Sequence, residues 1–300
     1  MKKLLILSLF ITCTLSAINA QDVPAVAPTD TVSAQEVPAI APADTLSAQE
    51  APAIAQADTV SAQEAPVVAP ANTLKISKNF IKFNITSALI KNYSLQYERI
   101  LSRTVSIAVS FRMMPESGIP YTDNIFRWFD ITDPETQEII ENTNLGNYAI
   151  TPEVRFYTGK KKYGNGFYFS LFYRYGHYTV NNALLPYDTD GGDQVILDTS
   201  GDASSHTGGF MLGAQWALGK HICLDWWILG PHFGVSSGDM ISWSSDPLSE
   251  VDQQDIADAL NDIELPMFEQ TVNVTADKVS MIFDGPWAGI RAGLSLGVKF

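Results

Sequence analysis

From Asn79 to the end of the chain, apolar residues alternate with polar or small ones, and this period of two is typical of β-strands with two unlike faces. Eight such segments follow one another, and the last, Ala288 to Phe300, is apolar at every second position. Strands of about ten residues are long enough to cross a bilayer at a tilt. The pattern therefore predicts an all-β fold, an eight-stranded antiparallel transmembrane β-barrel over residues 79–300.

The connections between these segments alternate in length. Short ones, such as Leu101 to Arg103, alternate with long ones at about 115–146, 179–206 and 235–285. The long connections contain most of the 33 acidic residues. Short turns at one end and long loops at the other are typical of outer-membrane barrels. The alternative is a secreted β-sandwich, in which the apolar faces would pack against each other.

The first 74 residues differ from the rest of the chain in composition and sequence pattern. Residues 1–20 combine the basic start Lys2-Lys3 with an apolar run, which predicts a secretory signal peptide. Residues 21–74 repeat every 14 residues and are rich in Pro and Ala, with no Gly and no aromatic residue. Such a composition buries too little apolar surface to fold, so we predict a disordered tail, periplasmic if the barrel is correct. A spacer role and a tandem expansion without a role both remain open.

Charge and cysteine content exclude several classes of function. The formal net charge of −14 argues against nucleic acid as a partner, because phosphate binding needs a basic face. Two cysteines, Cys13 and Cys223, are too few for a disulfide scaffold or a Cys-rich zinc site. Asp188 to Asp193 could hold Ca²⁺, but the distal Glu of a calcium loop is missing, which favours an ordinary turn. We expect no metal and no cofactor.

The polar faces of the predicted strands contain charged residues that would point into a narrow barrel. Side chains normally fill the interior of an eight-stranded barrel, and buried charges must be paired. We therefore predict an ion-pair network in the lumen. A gated path for a small anion is the alternative, because bases outnumber acids in this set. The predicted network consists of Lys82, Glu98, Arg112, Glu153, Arg155, Arg174, Asp225 and Arg291.

One group of residues could suggest catalysis. His206 follows Ser204 and Ser205, with Asp198 and Asp202 upstream, near the predicted rim. Some lipid-modifying enzymes of the outer membrane place a His, a Ser and an acid at such a rim. A catalytic set needs spatial proximity, however, and a segment rich in Asp and Ser produces such neighbours by chance. We predict no catalytic residues.

The closing residues Leu296, Val298 and Phe300 resemble the C-terminal strand signal of Gram-negative outer-membrane barrels. Three further segments resemble a Bacteroidota family of outer-membrane β-barrels of unassigned function, similar to the small OmpA/OmpW-like barrels. The resemblance implies a barrel and its location, and it implies no activity. The segments are KFNITSALIKNYSLQYERILSRTVSI, AITPEVRFYTGKKKYGNGFYFSLFYRYGHY and ALGKHICLDWWILGPHFG.

These observations favour a non-enzymatic outer-membrane protein with a structural or adhesive role, which presents acidic loops outside the cell. The expected partners are outer-membrane lipid and the barrel assembly machinery, and the tail could reach peptidoglycan or a periplasmic protein. A narrow channel for small solutes is the first alternative. A rim-sited lipid-modifying enzyme is the second.

Overall fold

The computed structural model describes residues 78–158, 163–263 and 267–300. The signal peptide and repeat predictions for residues 1–20 and 21–74 lie outside these ranges. The described chain is mostly antiparallel β-structure, with nine strands and four short helices. A search of its helices found none with the length and apolar character needed to cross a membrane.

The sheet contains one strand more than the eight that the sequence predicts. The strands are β1 (Asn79–Asn84), β2 (Tyr93–Ile100), β3 (Val105–Gly118), β4 (Asn144–Tyr157), β5 (Gly166–Asp188), β6 (Gln194–Leu218), β7 (Ile222–Ser244), β8 (Glu269–Val274) and β9 (Lys278–Lys299). The helices are α1 (Ile85–Ala88), α2 (Thr122–Trp128), α3 (Pro134–Asn142) and α4 (Glu250–Asn261).

Eight of the strands form a ring-like sheet. Each strand from β1 to β6 pairs with the next, β7 pairs with β9, and β9 pairs back with β1. Phe80 lies opposite Lys299 and Phe83 opposite Leu296 at this closing pair. The described strands therefore form one sheet that returns to its first strand, rather than the two stacked sheets of the sandwich alternative.

The ninth strand, β8, lies outside the ring. The lower part of β9 pairs with β1, whereas its upper part pairs with β8, where Glu269 lies opposite Asp284. β1 ends early because the Asn84 side chain accepts a hydrogen bond from the Ser87 N–H and starts α1. Beyond that point, β8 occupies the place beside β9 that β1 has left.

The expectation of long loops at 179–206 and 235–285 is wrong. β5 and β6 continue as a paired hairpin to a turn at Thr189 to Asp193, and β7 and β9 extend in the same way. We call these extensions and β8 the upper sheet, residues 182–188, 194–204, 235–244, 269–274 and 278–286. Their many Asp, Ser and Gly residues hide the strand pattern in the sequence.

Helices α3 and α4 cover one face of the upper sheet. Ile139 of α3 packs against Leu185 and Leu197, while Ile256 and Leu260 of α4 pack in a neighbouring apolar cluster. α4 begins at Glu250 because Ser249 and Asp252 form a capping box.

The ring has an inverted distribution of side chains. Its outward positions are apolar and exposed: Leu95, for example, is 54% exposed. Its inward positions include fully buried charged residues, such as Glu98, Arg155 and Asp225. A soluble protein normally has the opposite arrangement, with charged groups outside and apolar groups buried.

Candidate functional site

The interior of the ring contains a network of five charged side chains. Lys82 donates hydrogen bonds to Glu98 and, at 2.6 Å, to Oδ2 of Asp225. Arg155 contacts the same Asp225 oxygen through Nη1 at 2.6 Å and Glu153 Oε1 through Nε at 2.7 Å. These residues come from β1, β2, β4 and β7, so the network links strands around the ring. The structure thus brings together five of the eight residues that the sequence singled out.

Neutral side chains complete this network. Tyr157 donates a hydrogen bond to Glu98 at 2.6 Å, and Tyr168 donates one to Asp225 at 2.8 Å. Gln215 accepts from Lys82 at 2.5 Å. Sequence reasoning missed these residues, although a count along the inward positions of each strand could have found the two tyrosines. Linked hydrogen bonds of this kind fix a buried polar interior in one arrangement.

Tyr168 can reach Asp225 because its neighbour across the strands is a glycine. Tyr168 pairs with Gly213, and a Cβ atom on that glycine would lie 2.3 Å from the tyrosine ring. The ring therefore occupies the space that a side chain at position 213 would need. The Arg155 guanidinium stacks on the same ring at 4.4 Å, which adds a cation–π contact.

An apolar cluster fills the interior near the short connections. Phe80 and Ile100 are buried in it together with Tyr157 and Trp227. Gly164, with φ of +75°, brings the turn before β5 against this cluster, and its Cβ would lie 2.8 Å from Ile100 Cδ1. The cluster and the ion-pair network together occupy this half of the ring.

The other three predicted lumen residues, Arg112, Arg174 and Arg291, are also buried. Arg112 and Arg174 lie at inward positions that are closer to the upper sheet than the ion-pair network is. The guanidinium of Arg291 lies 4.6 Å from the Phe172 ring and 4.8 Å from the Trp227 ring. These contacts place Arg291 above the apolar cluster.

The residues around His206 do not form a Ser-His-acid relay. His206 Nδ1 is 2.5 Å from the Tyr173 hydroxyl, whereas Ser204 Oγ is 3.1 Å from Nδ1 of His177. Ser205 points to the opposite, inward side of β6 and is buried. Asp202 is four strand positions from His206, which corresponds to about 13 Å.

A belt of aromatic and His rings lies on the outside of β4, β5 and β6. It consists of Tyr148, Tyr173, Tyr175, His177 and His206.

The acidic turn after β5 bonds to α4. Thr189 and Asp193 close the turn through a backbone hydrogen bond of 2.8 Å, and the Asp190 N–H donates to Asp252 Oδ1 at 2.8 Å. Hydrogen bonds from the Ser249 hydroxyl and from this N–H hold the pKa of Asp252 below its ordinary value. Among the described residues, no group of three or more His, Cys, Asp or Glu is placed to hold a metal ion.

The C-terminal residues form part of the closing pair of strands. Leu296 and Val298 point outward and are exposed. Backbone hydrogen bonds join Asn79 and Phe300 in both directions, at 3.1 and 2.9 Å. The apolar alternation that resembles an assembly signal therefore lies on the strand that completes the ring.

Comparison with known proteins places the chain in a family. No curated protein gives a significant match to the sequence. A family described as a protein of unknown function, DUF3575, matches residues 65–233, more than half of the 300 residues. The matched region includes β1 to β6 and all five charged residues of the interior network. The chain therefore belongs to the DUF3575 family.

Proposed function

We propose that the chain is an outer-membrane β-barrel with a structural or adhesive role. The ring would cross the outer membrane, and the upper sheet with α3 and α4 would project from the cell surface. The repeats at residues 21–74 would lie in the periplasm. The resemblance to small OmpA/OmpW-like barrels of Bacteroidota supports this proposal. The protein would act as an anchor without catalytic activity.

The inverted distribution of side chains is the observation that supports this most strongly. Apolar side chains exposed to water cost roughly 25 cal/mol for each Å² of surface. The ring exposes such side chains on every strand, including Ile107, Phe169 and Trp226. A lipid environment removes this cost, and a closed sheet leaves few backbone groups unpaired within the hydrocarbon.

Aromatic residues and charges support the same orientation. The rings of Trp216 and Trp226 lie 6.4 Å apart near the short connections, and Tyr148 and Tyr173 lie on the outer face near the upper sheet. Aromatic residues at both ends of an apolar band are typical of membrane interfaces. The upper sheet is acidic, whereas the short connections contain Arg103 and Lys220.

The filled interior favours an anchor over a channel. Lys82, Arg155 and their acidic partners cross the ring, and Phe80 and Ile100 fill its end. We therefore expect no resolved conductance steps from the purified protein in planar bilayers. Reproducible single-channel steps would establish the channel alternative instead.

A matched pair of substitutions tests membrane insertion. Leu95 on the ring and Val251 on α4 are 54% and 53% exposed. Arginine on the lipid face of a barrel costs about 2–4 kcal/mol near the midplane, whereas an exposed arginine in water costs almost nothing. We expect Leu95→Arg to abolish the heat-modifiable band of the outer-membrane fraction on a denaturing gel, and Val251→Arg to preserve it.

The opposite result has a clear meaning. If Leu95→Arg folds as well as Val251→Arg, or if the wild-type protein is recovered in the soluble periplasm, the ring does not face lipid. In the proposed arrangement, the partners are outer-membrane lipid, the barrel assembly machinery acting on the Leu296, Val298 and Phe300 strand, and peptidoglycan or a periplasmic protein at the tail.

A further inference from the structure

A cavity opens on the outward face of the sheet, where the ring meets the upper sheet. Its volume is about 500 Å³, and residues of β6, β7, β8 and β9 line it. Sites for small molecules have volumes in this range. Its floor is the outward residue Val235, which pairs with His206 on one side and with Pro286 on the other. The cavity therefore lies outside the filled interior of the ring.

The local backbone explains why there is space at this place. Gly208 occupies the outward position of β6 opposite Phe233, and no described atom lies within 4 Å of the point where its Cβ would be. At the other side, a Cβ atom on Gly285 would meet the ring of Phe268, so this ring takes the place of a side chain there. The contact holds the chain that leads into β8 against β9, and Met267, the preceding residue, lines the cavity.

One part of the lining is apolar and open to the surroundings. Phe233 and Val235 are each more than 60% exposed, and Met267 is 80% exposed. They continue the apolar outward face of the ring, where Leu229 and Ile290 are also exposed. Exposed apolar groups that line a cavity are typical of binding sites, and these would cover an apolar chain or ring of a ligand.

The opposite part of the lining is negatively charged. Glu269 and Asp284 both line the cavity and lie directly opposite each other on β8 and β9. Neither carboxylate has a hydrogen-bond or ion-pair partner among the residues that the structure describes. Like charges at directly opposite positions of a strand pair destabilise the pair. A cation between the two carboxylates would remove this repulsion.

The chemistry of the lining favours an organic cation over a metal ion. Among the described residues, no group of three or more His, Cys, Asp or Glu is placed to hold a metal. A metal ion would also leave the apolar part of the cavity without a partner. A primary ammonium group has three hydrogen-bond donors, which is enough to bond to both carboxylates, and charge-assisted bonds of this kind are strong.

We propose that this cavity binds an amphiphilic amine, a protonated primary amine that carries an apolar chain. The ammonium group bonds to Glu269 and Asp284, and the chain lies over Val235 between Phe233 and Met267. The inference does not rest on the proposed function, because the cavity is the same whether lipid or water surrounds the ring. The amine is either a free molecule or the headgroup of an aminolipid.

Titration of octylammonium into the purified full chain in a nonionic detergent tests this inference. The methyl resonances of Val235 and Met267 report binding at the cavity itself. Octanol has the same chain without the charge, so it measures the contribution of the apolar part alone. We expect saturable shifts of both methyl groups with octylammonium, and an affinity about tenfold or more above that of octanol.

Three substitutions that each remove one negative charge separate the site from the general charge of the protein. We expect Asp284→Asn and Glu269→Gln each to weaken binding of octylammonium by about threefold to tenfold and to leave binding of octanol unchanged. The control is Asp255→Asn, an exposed residue of α4, because α4 covers the other face of the upper sheet. The control should leave both affinities unchanged.

Lipid nanodiscs distinguish the two sources of the amine. Phosphatidylethanolamine has a primary ammonium group, whereas phosphatidylcholine has a quaternary one that cannot donate a hydrogen bond. Shifts of the Val235 and Met267 methyl groups with the first lipid and not with the second would identify a lipid headgroup as the ligand, and shifts with octylammonium alone would identify a free amine. Absence of saturable shifts with octylammonium would overturn the proposal. Equal affinities for octylammonium and octanol, or an equal loss in Asp255→Asn, would do the same.

Discussion

Asp225 accepts hydrogen bonds from four side chains: Lys82 and Arg155 at 2.6 Å, Tyr168 at 2.8 Å and Trp227 at 3.3 Å. Each of these donors is buried, and burying a donor without its acceptor would cost folding free energy. The carboxylate therefore joins both cations of the interior network to two aromatic donors.

We expect Asp225→Asn to lower the free energy of unfolding by about 3–5 kcal/mol, because it leaves two buried cations with too few acids. Denaturant unfolding of the detergent-folded protein would measure the change. Asp239→Asn is the matched control, since Asp239 is exposed on β7 opposite Asp202. The control should be neutral or slightly stabilising, because it removes a cross-strand repulsion. Equal effects of the two changes would contradict the role given to the network.

Gly164 offers a second test at a single residue, in the turn before β5. Its φ of +75° is strained for any other residue, and a Cβ would lie 2.8 Å from Ile100 Cδ1. We expect Gly164→Ala to cost about 1–3 kcal/mol. Gly191→Ala is the control, because a Cβ there meets only Thr189 Oγ1 at 3.7 Å. Thermal melting of the two variants should differ, and equal melting temperatures would show that the turn does not press on the cluster.

Among the elements, α4 depends on a cap whose charge responds to pH. The pKa of Asp252 is lowered in the folded protein by hydrogen bonds from Ser249 and Asp190. A lowered folded-state pKa means that the stabilisation is complete above the unfolded value of about 4 and is lost as the pH falls through the lower folded value. The effect therefore belongs to the acidic range.

We expect the backbone amides of α4 to lose protection from hydrogen exchange when the pH falls below about 4, after correction for the intrinsic rate. Ser249→Ala removes one of the bonds and should cost about 1 kcal/mol and weaken the pH dependence. The pairing of β5 with β6 serves as the internal reference. Protection of α4 that is insensitive to pH in both proteins would rule out this role of Asp252.

Elements differ in how well the sequence predicted them. Alternation identified all eight strands of the ring, because the outward face of each is apolar within the ring. The upper halves of β5 and β6 were missed because polar residues, such as Asn182, Asp198 and Asp202, interrupt the apolar alternation at their outward positions. β8 was missed because its six residues, EQTVNV, are recognisable as a strand only from their pairing with β9.

The interior site, too, could be predicted from the sequence only in part. Charge at inward positions identified Lys82, Glu98, Glu153, Arg155 and Asp225, because a charged residue in a narrow ring needs a partner. Strand alternation cannot reveal which charges meet, since that depends on how the strands tilt and stagger around the ring.

For the whole molecule, the topology makes the ring independent of the segment between β7 and β9. These strands pair directly up to Trp243 opposite Lys278. We expect a chain in which a short Gly-Ser linker replaces residues 246–276 to keep the heat-modifiable ring, because β8 and α4 lie outside the closed path of strands. Loss of the folded band on an unboiled gel would show that the ring needs this segment.

The pairing of β1 with β9 extends over five residue pairs, whereas β5 and β6 pair at 21 positions. This short seam joins the first and last described strands, so it forms only after the intervening sequence has been synthesised and has a high loop-closure cost. The β1–β2 junction is equally short, so β1 is the strand of the ring held by the fewest residue pairs on its two sides. Under mechanical tension or heating, the ring should therefore open there first, as a curved sheet that still holds β2 to β7 together.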